Sequence, residues 1–139
     1  MKSTVSKIGA DFTKKVVLAS SSDSRHQLLS RLLLEFSCFA PEIDETPRLG
    51  ESPSALVRRL AREKATHAKQ YYPDHFIISS DQVCICGGKI YGKPGSGERA
   101  KAQLLQFQGK EVIFLTSLHF LDSKSDNFSL DVVETTVLF

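Results

Sequence analysis

The sequence has little net charge, few cysteines and no long apolar segment, and each shortage excludes a class of protein. The formal net charge of +2 is too small to indicate a nucleic-acid or membrane partner. No apolar run approaches the roughly 20 residues that span a bilayer. Residues 1–15 contain lysines but no apolar core of a secretory signal, so we interpret residues 1–14 as a loosely ordered N-terminal extension.

The three cysteines do not form the pattern of a disulfide framework. Cys84 and Cys86 stand two residues apart on a predicted strand, where they point to the same face but are badly placed to bridge each other. Cys38 leaves the total odd. Reduced thiols are typical of a cytoplasmic protein, and we expect that location.

The remaining pattern predicts one α/β domain. A chain of 139 residues with 41% hydrophobic and 24% charged residues can form a single core. Strands are predicted at about 16–19, 36–40, 76–85, 89–91, 111–121 and 128–139, and helices at about 24–33, 53–71 and 98–107. Strands and helices alternate at first and strands dominate later, which indicates a mixed sheet with flanking helices. The first helix is expected to bury the stripe Leu28, Leu29, Leu32 and Leu33.

A serine-rich turn follows the first predicted strand and opens the first helix. Ser20 and Ser22 supply hydroxyl groups, and Arg25 places a cation at the helix end where the macrodipole disfavours it. Because a helix N-terminus carries unpaired N–H groups, phosphate is the anion that this combination would bind. The alternative is a serine N-cap beside a solvated arginine.

Asp81 is the strongest single candidate for a catalytic group. It follows the apolar segment 76–78 and two serines, at the point where the strand is predicted to leave the core. Ligands of open α/β sheets collect at such strand ends, where a carboxylate can hold a metal or act as a general base. A turn-capping aspartate is the alternative.

Two lysines are candidate phosphate ligands. Lys64 lies four residues after Leu60 on the predicted inward face of the second helix, where it needs a partner or must extend to water. Lys93, in a glycine-rich loop, offers a positive charge to phosphate or belongs to an ordinary basic turn.

The loop before the second helix is acidic. Its residues Glu42, Asp44 and Glu45 could ligate Mg²⁺ together with substrate phosphates, or they could simply be solvated. The histidines at 67, 75 and 119 have no metal-binding spacing and are interpreted as structural or surface residues.

The last residue, Phe139, lies inside a predicted strand. Two explanations are open: a natural end on an edge strand, or a truncated reading frame.

Taken together, these segments resemble the Maf family of nucleotide pyrophosphatases in order and spacing. The matching stretches are Ala19–Arg25, Ile43–Thr46, Arg59–Ala65, Ser80–Val83 and Gly92–Pro94. Residues 40–48, 51–53, 72–75 and 81–84 also resemble the branch that hydrolyses 7-methyl-GTP. The branch that acts on dTTP and UTP usually has threonine where this chain has Gln82.

The resemblance implies a fold and a reaction. The fold would be α/β, an elongated twisted mixed sheet with flanking helices and a cleft between two lobes, as in inosine-triphosphatase-like proteins. The Maf-like domain would span residues 15–139, with its second lobe incomplete. In the reaction, water attacks the α-phosphorus of a nucleoside triphosphate and releases pyrophosphate. The implied partners are the nucleotide and a second copy in a homodimer, without nucleic acid or membrane.

The resemblance also implies roles for individual residues. Asp81 would accept the proton and, with Glu45, hold a divalent cation, Mg²⁺ or Mn²⁺. Ser24 and Gln82 would contact the base. The phosphates would be bound by Ser20, Ser22, Arg25, Lys64 and Lys93.

The sequence departs from the family pattern at the start of the first helix. Asp23 replaces the usual proline and His26 replaces a second arginine. Ser24 stands where the 7-methyl-GTP branch has a tryptophan, so stacking on a cationic base would be lost. The family also continues for several dozen residues past the strand that holds Phe139. The alternative expectation is therefore an impaired relative that binds nucleotide without turnover.

Overall fold

The computed structural model describes residues 14–32, 35–92 and 95–139. Its strands are β1 (Lys15–Ala19), β2 (Ser37–Phe39), β3 (His75–Cys86), β4 (Lys89–Tyr91), β5 (Glu111–Asp122) and β6 (Phe128–Leu138). Its helices are α1 (Asp23–Ser30), α2 (Pro53–Lys69) and α3 (Gly97–Phe107). None of these helices has the length and hydrophobicity needed to cross a membrane.

All six strands belong to one mixed sheet, in the order β2-β1-β3-β5-β6, with β4 paired to β3. β1 runs parallel to β2 and β3, while β4 and β5 run antiparallel to β3 and β6 runs antiparallel to β5. The predicted mixed α/β architecture is confirmed. The hairpin between β3 and β4 turns at Gly87 and Gly88, whose φ angles of 58° and 75° favour glycine over residues with a side chain.

Helix α2 covers one face of the sheet. Ser52 caps its first turn, with Oγ accepting from the amide of Ala55 at 3.1 Å, and Pro53 occupies the first helical position, as predicted. Alternate residues of each strand point to the same face, so the core forms between one set of strand residues and the inward stripe of α2. Its buried members include Val17, Ala19, Ile77, Val83, Leu115, Val57, Leu60, Ala61, Ala65 and Ala68.

The opposite face of the sheet is more open. Helix α3 buries Phe107 there, against Cys86 and Val112. Helix α1 buries none of its residues, so the predicted burial of a leucine stripe is wrong for Leu28, which is 58% exposed, and for Leu32, which is 81% exposed. Leu33 lies outside the described residues. The helix ends at Ser30 before the stripe is complete, and its leucines line a cleft instead of packing on the sheet.

Residues 1–13 of the predicted N-terminal extension lie outside the described residues. Lys14 is described, and its ammonium group binds the Asp122 carboxylate at 2.6 Å.

Candidate active site

The candidate site lies where β1 ends and β3 continues. β1 pairs with β3 as far as Ile78, and β4 pairs with β3 only from Cys84 onward. Residues 79–83 therefore pair with β5 on one side and have no strand partner on the other, among the described residues. This gap in the sheet puts the turn after β1 beside the middle of β3.

Asp81 lies in this gap and is 7% exposed. Its predicted position at a strand end is wrong, because it is an interior residue of β3, which continues to pair with β5 beyond the end of β1. The strand end beside it belongs to β1. The amide of Asp81 donates to Ser117 Oγ at 3.0 Å, and that hydroxyl donates to the carbonyl of Val57 on α2 at 2.7 Å.

Lys64 binds Asp81 across the interface between α2 and β3. Its ammonium nitrogen donates to Asp81 Oδ1 at 3.1 Å and to the carbonyl of Ser80 at 3.4 Å. The residue is 8% exposed, so of the two alternatives left open by the sequence, a buried partner is found and extension to water is not.

The pKa of the Asp81 carboxyl is raised above its ordinary value. Burial is the main cause, and the Glu45 carboxylate acts in the same direction. The positive charges of Lys64 and Arg25 act against the rise. A carboxylate whose pKa is raised by burial is a stronger base than a solvated one.

The serine-rich turn leads directly into α1. Ser22 is the N-cap residue, and its Oγ accepts from the amide of Arg25 at 3.3 Å. Ser20 is 8% exposed, and its Oγ accepts from the amide of Ser22 at 3.0 Å and from Arg25 Nη1 at 3.4 Å. The predicted N-cap and the arginine are thus found together, with the guanidinium group folded back over the turn rather than free in solvent.

Arg25 is partly buried, and its guanidinium group interacts electrostatically with the two carboxylates of the site. Burial lowers the pKa of its guanidinium group, and the charges of Asp81 and Glu45 counteract this. Arginine stays protonated in proteins, so Arg25 contributes a permanent positive charge beside the start of α1.

The acidic loop, residues 41–52, brings one of its three candidate carboxylates to the site. Glu45 Oε1 lies 3.5 Å from the Lys64 ammonium nitrogen. Asp44 instead accepts from the amide of Thr46 at 3.0 Å, and hydrogen bonds from the side chain and the amide of Thr46 hold the pKa of its carboxyl below the ordinary value. Glu42 is exposed, and its amide donates to His67 Nδ1 at 3.0 Å.

The carboxylates of the site suit a cation that is also coordinated by the substrate, rather than one coordinated by protein groups alone. No group of three or more His, Cys, Asp or Glu side chains in the described part of the chain could enclose a metal ion. Asp81 and Glu45 do converge on the Lys64 ammonium group. One or two carboxylates, completed by substrate phosphates and water, is the donor set that Mg²⁺ typically uses.

A cleft of about 780 Å³ opens over this cluster along the less covered face of the sheet. A volume of this size accommodates a nucleotide-sized ligand. Gln82 is exposed in the cleft, and its Nε2 donates to Thr116 Oγ1 at 2.8 Å. The predicted site residues that line the cleft are Ser20, Ser22, Ser24, Arg25, Glu45, Lys64, Asp81 and Gln82.

Lys93 lies outside the described residues, so its predicted role is not addressed by the structure. The preceding Gly92 does line the cleft, and its carbonyl accepts from Gln103 Nε2 at 3.2 Å.

Three residues of the site region were not predicted from the sequence. Thr116 and Ser117 lie on β5 opposite Gln82 and Asp81, and Arg59 binds the acidic loop. Ser117 had a recognisable signal, a small polar residue at an inward position of an apolar strand. Thr116 had none, because its role depends on strand register. Arg59 begins one of the stretches that resemble the Maf family, but its contact with the acidic loop depends on the path of that loop.

Comparisons with known proteins agree with this geometry. Residues 15–139 match the family model described as Maf, Maf-like protein. The chain is 50% identical to a 7-methyl-GTP pyrophosphatase of Pseudomonas fluorescens over 122 residues, which make up 88% of this chain and 64% of that protein. It is 48% identical to a 7-methyl-GTP pyrophosphatase of Chromohalobacter salexigens over 125 residues, 90% of this chain and 65% of that protein. The chain therefore spans less than two thirds of the length of these curated relatives.

The fold also resembles a solved structure, that of a HAM1 protein from Coxiella burnetii. The TM-score is 0.52 at 16% sequence identity, and the match covers 89% of this chain and 71% of that one. At this identity the likeness concerns the fold alone. The family match over residues 15–139, together with relatives about half identical in sequence, shows that the chain belongs to the Maf family.

Proposed function

We propose that this protein is a nucleoside triphosphate pyrophosphatase that hydrolyses a modified nucleotide, 7-methyl-GTP, to the monophosphate and pyrophosphate. The observation that carries the proposal is the buried Lys64–Asp81 pair beside Arg25, at the floor of an open cleft. The names of the relatives in Pseudomonas and Chromohalobacter support the substrate.

In the proposed reaction Asp81 accepts a proton from the water that attacks the α-phosphorus. Burial raises the pKa of the Asp81 carboxyl, which makes its carboxylate a stronger base than a solvated aspartate, while the charges of Lys64 and Arg25 oppose that rise. The bond to the pyrophosphate leaving group breaks as the new P–O bond forms, and negative charge builds up on the leaving oxygens.

The cations of the cleft would neutralise that charge. Arg25 and Lys64 line the cleft, and Lys93 completes the proposed set. The hydroxyl groups of Ser20 and Ser22 and the first amides of α1 would donate to phosphate oxygens. A Mg²⁺ or Mn²⁺ ion held by Glu45 and Asp81 would supply further electrostatic stabilisation of the phosphates when bound.

The base would lie against Ser24 and Gln82. The amide nitrogen of Gln82 is engaged by Thr116, which leaves its carbonyl oxygen to accept from a guanine N–H group. Ser24 has no ring to stack on the cationic base, so we propose a looser preference for the methylated base than a tryptophan at this position would give. A homodimer and a cytoplasmic location remain predictions.

The proposal is tested by product analysis. The purified chain is incubated with Mg²⁺ or Mn²⁺ and with 7-methyl-GTP, GTP, dTTP or UTP in ¹⁸O-labelled water. We expect pyrophosphate and a monophosphate that carries the label, with 7-methyl-GTP used fastest. Release of inorganic phosphate and a diphosphate would contradict the reaction. Binding of 7-methyl-GTP without any product would instead support the alternative of a catalytically impaired relative.

A further inference from the structure

Arg59 on α2 joins the helix to the acidic loop. Its guanidinium group forms a bidentate salt bridge with Glu51, in which Nε donates to Oε2 at 2.6 Å and Nη2 donates to Oε1 at 2.9 Å. The same Nη2 donates to the carbonyl of Thr46 at 3.1 Å, and Nη1 donates to Glu63 at 3.1 Å. One side chain therefore holds two separate points of the loop.

This contact is stronger than an ordinary surface ion pair. The side chains of Arg59 and Glu51 are only 11% and 9% exposed. The paired hydrogen bonds with Arg59 lower the pKa of the Glu51 carboxyl to about 2. A planar guanidinium that grips a carboxylate at two points fixes orientation as well as distance, which a lysine cannot do.

Glu51 is also hydrogen-bonded to the turn that precedes α2. Its Oε1 accepts from the amide of Arg48 at 3.0 Å, and its own amide donates to the carbonyl of Arg48 at 3.0 Å. Together with the bond from Arg59 to Thr46, these contacts fasten the second half of the loop to the helix. The first half is fastened where the amide of Glu42 donates to His67.

Glu45 lies between these two fastened points. Its side chain is 60% exposed, and it meets the Lys64 ammonium group at 3.5 Å, a long distance for an ion pair. The adjacent residue, Thr46, is the one whose carbonyl Arg59 binds. The place of the Glu45 carboxylate beside Asp81 thus depends more on the path of its backbone than on its own contacts.

We propose that Arg59 is a positioning residue, which clamps the acidic loop against α2 so that Glu45 stays beside the Lys64–Asp81 pair. Arg59 does not line the cleft and would not touch the substrate. The catalytic consequence rests on the proposed function, but the clamp itself does not.

Hydrogen exchange tests the clamp without substrate. In Arg59→Gln the peptide that contains Thr46, Arg48 and Glu51 should exchange at least about tenfold faster than in the parent chain. Arg58→Gln is the matched control, because Arg58 is the exposed neighbour on the same helix and, among the described residues, its side chain bonds within that helix, to Ser54. Unchanged exchange in Arg59→Gln would overturn the proposal.

A double-mutant cycle tests the consequence. Arg59→Gln should lower kcat by about tenfold with a smaller change in KM, as losses of groups that orient a site residue do. In a Glu45→Gln background the same change should alter kcat by less than about twofold, because the carboxylate that Arg59 positions is already absent. Arg59→Lys should keep the charge and the fold but not restore kcat.

Full additivity of the two substitutions would overturn the proposal, since Arg59 would then act independently of Glu45. If the parent chain shows no turnover, the proposed function fails, and the exchange rates alone decide whether the clamp exists. Should Arg59→Gln not fold, the exchange measurement is made on Arg59→Lys, where the loop is again expected to exchange faster.

Discussion

The ammonium nitrogen of Lys64 lies 3.1 Å from Oδ1 of Asp81, and both residues are buried between α2 and β3. Within the described part of the chain, this pair forms where β3 has no strand partner on one side, so its polar atoms meet an open cleft rather than a closed core. Removing one partner of such a pair leaves the other as an uncompensated buried charge. The predictions below follow from this arrangement.

Replacing Lys64 should move the titration of Asp81 to higher pH. The Lys64 charge and hydrogen bond lower the pKa of Asp81 against the larger effect of burial. In Lys64→Met only the weaker influence of Arg25 still opposes the rise, so Asp81 should take up its proton at a higher pH than in the parent chain. The carboxyl carbon of Asp81 is followed by ¹³C NMR across a pH titration. Lys69→Met, which removes a lysine of α2 paired with Asp126 instead, is the control and should leave the midpoint unchanged. A midpoint that stays or falls in Lys64→Met would contradict the assigned role of Lys64.

Introducing an aromatic ring at position 24 should increase the selectivity for the methylated base. Ser24 lines the cleft at the start of α1 and is exposed there. Stacking of a cationic base on a ring contributes about 0.5–2 kcal/mol, so Ser24→Trp should raise the ratio of kcat/KM for 7-methyl-GTP over GTP by roughly 2- to 30-fold. Ser24→Leu, which adds apolar bulk without a ring, serves as the control. Equal ratios in all three chains would mean that position 24 does not face the base.

His119 should make the fold less stable in mild acid. The residue is 2% exposed, its Nδ1 has no hydrogen-bond partner among the described residues, and its ring stacks on Phe128 at 5.3 Å. Burial, together with the charge of Arg62, lowers the pKa of His119 below its ordinary 6.5. The unfolded chain therefore binds a proton at higher pH than the folded chain does. The contribution of neutral His119 to stability is complete above about pH 6.5. It is lost as the pH falls toward the pKa of His119 in the folded chain, by at most about 1.4 kcal/mol per pH unit.

The check is urea denaturation of the parent chain and of His119→Phe at several pH values. The free energy of unfolding of the parent should fall more steeply below the ordinary histidine pKa than that of the variant. His75→Phe is the control, because His75 is only partly buried and its ring Nδ1 donates to the carbonyl of Pro73. Parallel pH profiles for the parent and His119→Phe would show that His119 is not the group responsible.

Much of the fold was predictable because its signals are local. The apolar stripe and the Ser52-Pro53 start predict α2, and the Gly87-Gly88 turn predicts the hairpin, each within a few residues of the observed bounds. The burial of α1 was not predictable in the same way. Its leucines have helical spacing, but whether a helix packs on the sheet or borders a cleft depends on where the rest of the chain goes.

The candidate site, like the fold, was predictable only where its sequence signals are local. The position of Lys64 on the inward face of α2 follows from periodicity, yet its partner does not, because pairing with Asp81 depends on how α2 crosses β3. Asp81 was placed at a strand end because the sequence cannot show that β5 continues the pairing of β3 after β1 stops. The clamp at Arg59 depends on the path of an irregular loop, for which the sequence has no periodic signal.

The central claim is that Asp81 is the catalytic carboxylate, and its most direct test is the rate of pyrophosphate release from 7-methyl-GTP by Asp81→Asn. This substitution keeps the shape of the side chain and removes its charge. Asp74→Asn is the control, since Asp74 lies just before β3, is exposed, and does not line the cleft. We expect the rate to fall at least about 100-fold in Asp81→Asn, as for the loss of a general base, and to be unchanged in Asp74→Asn. An Asp81→Asn chain that is folded and retains more than about a tenth of the parent rate would contradict the account.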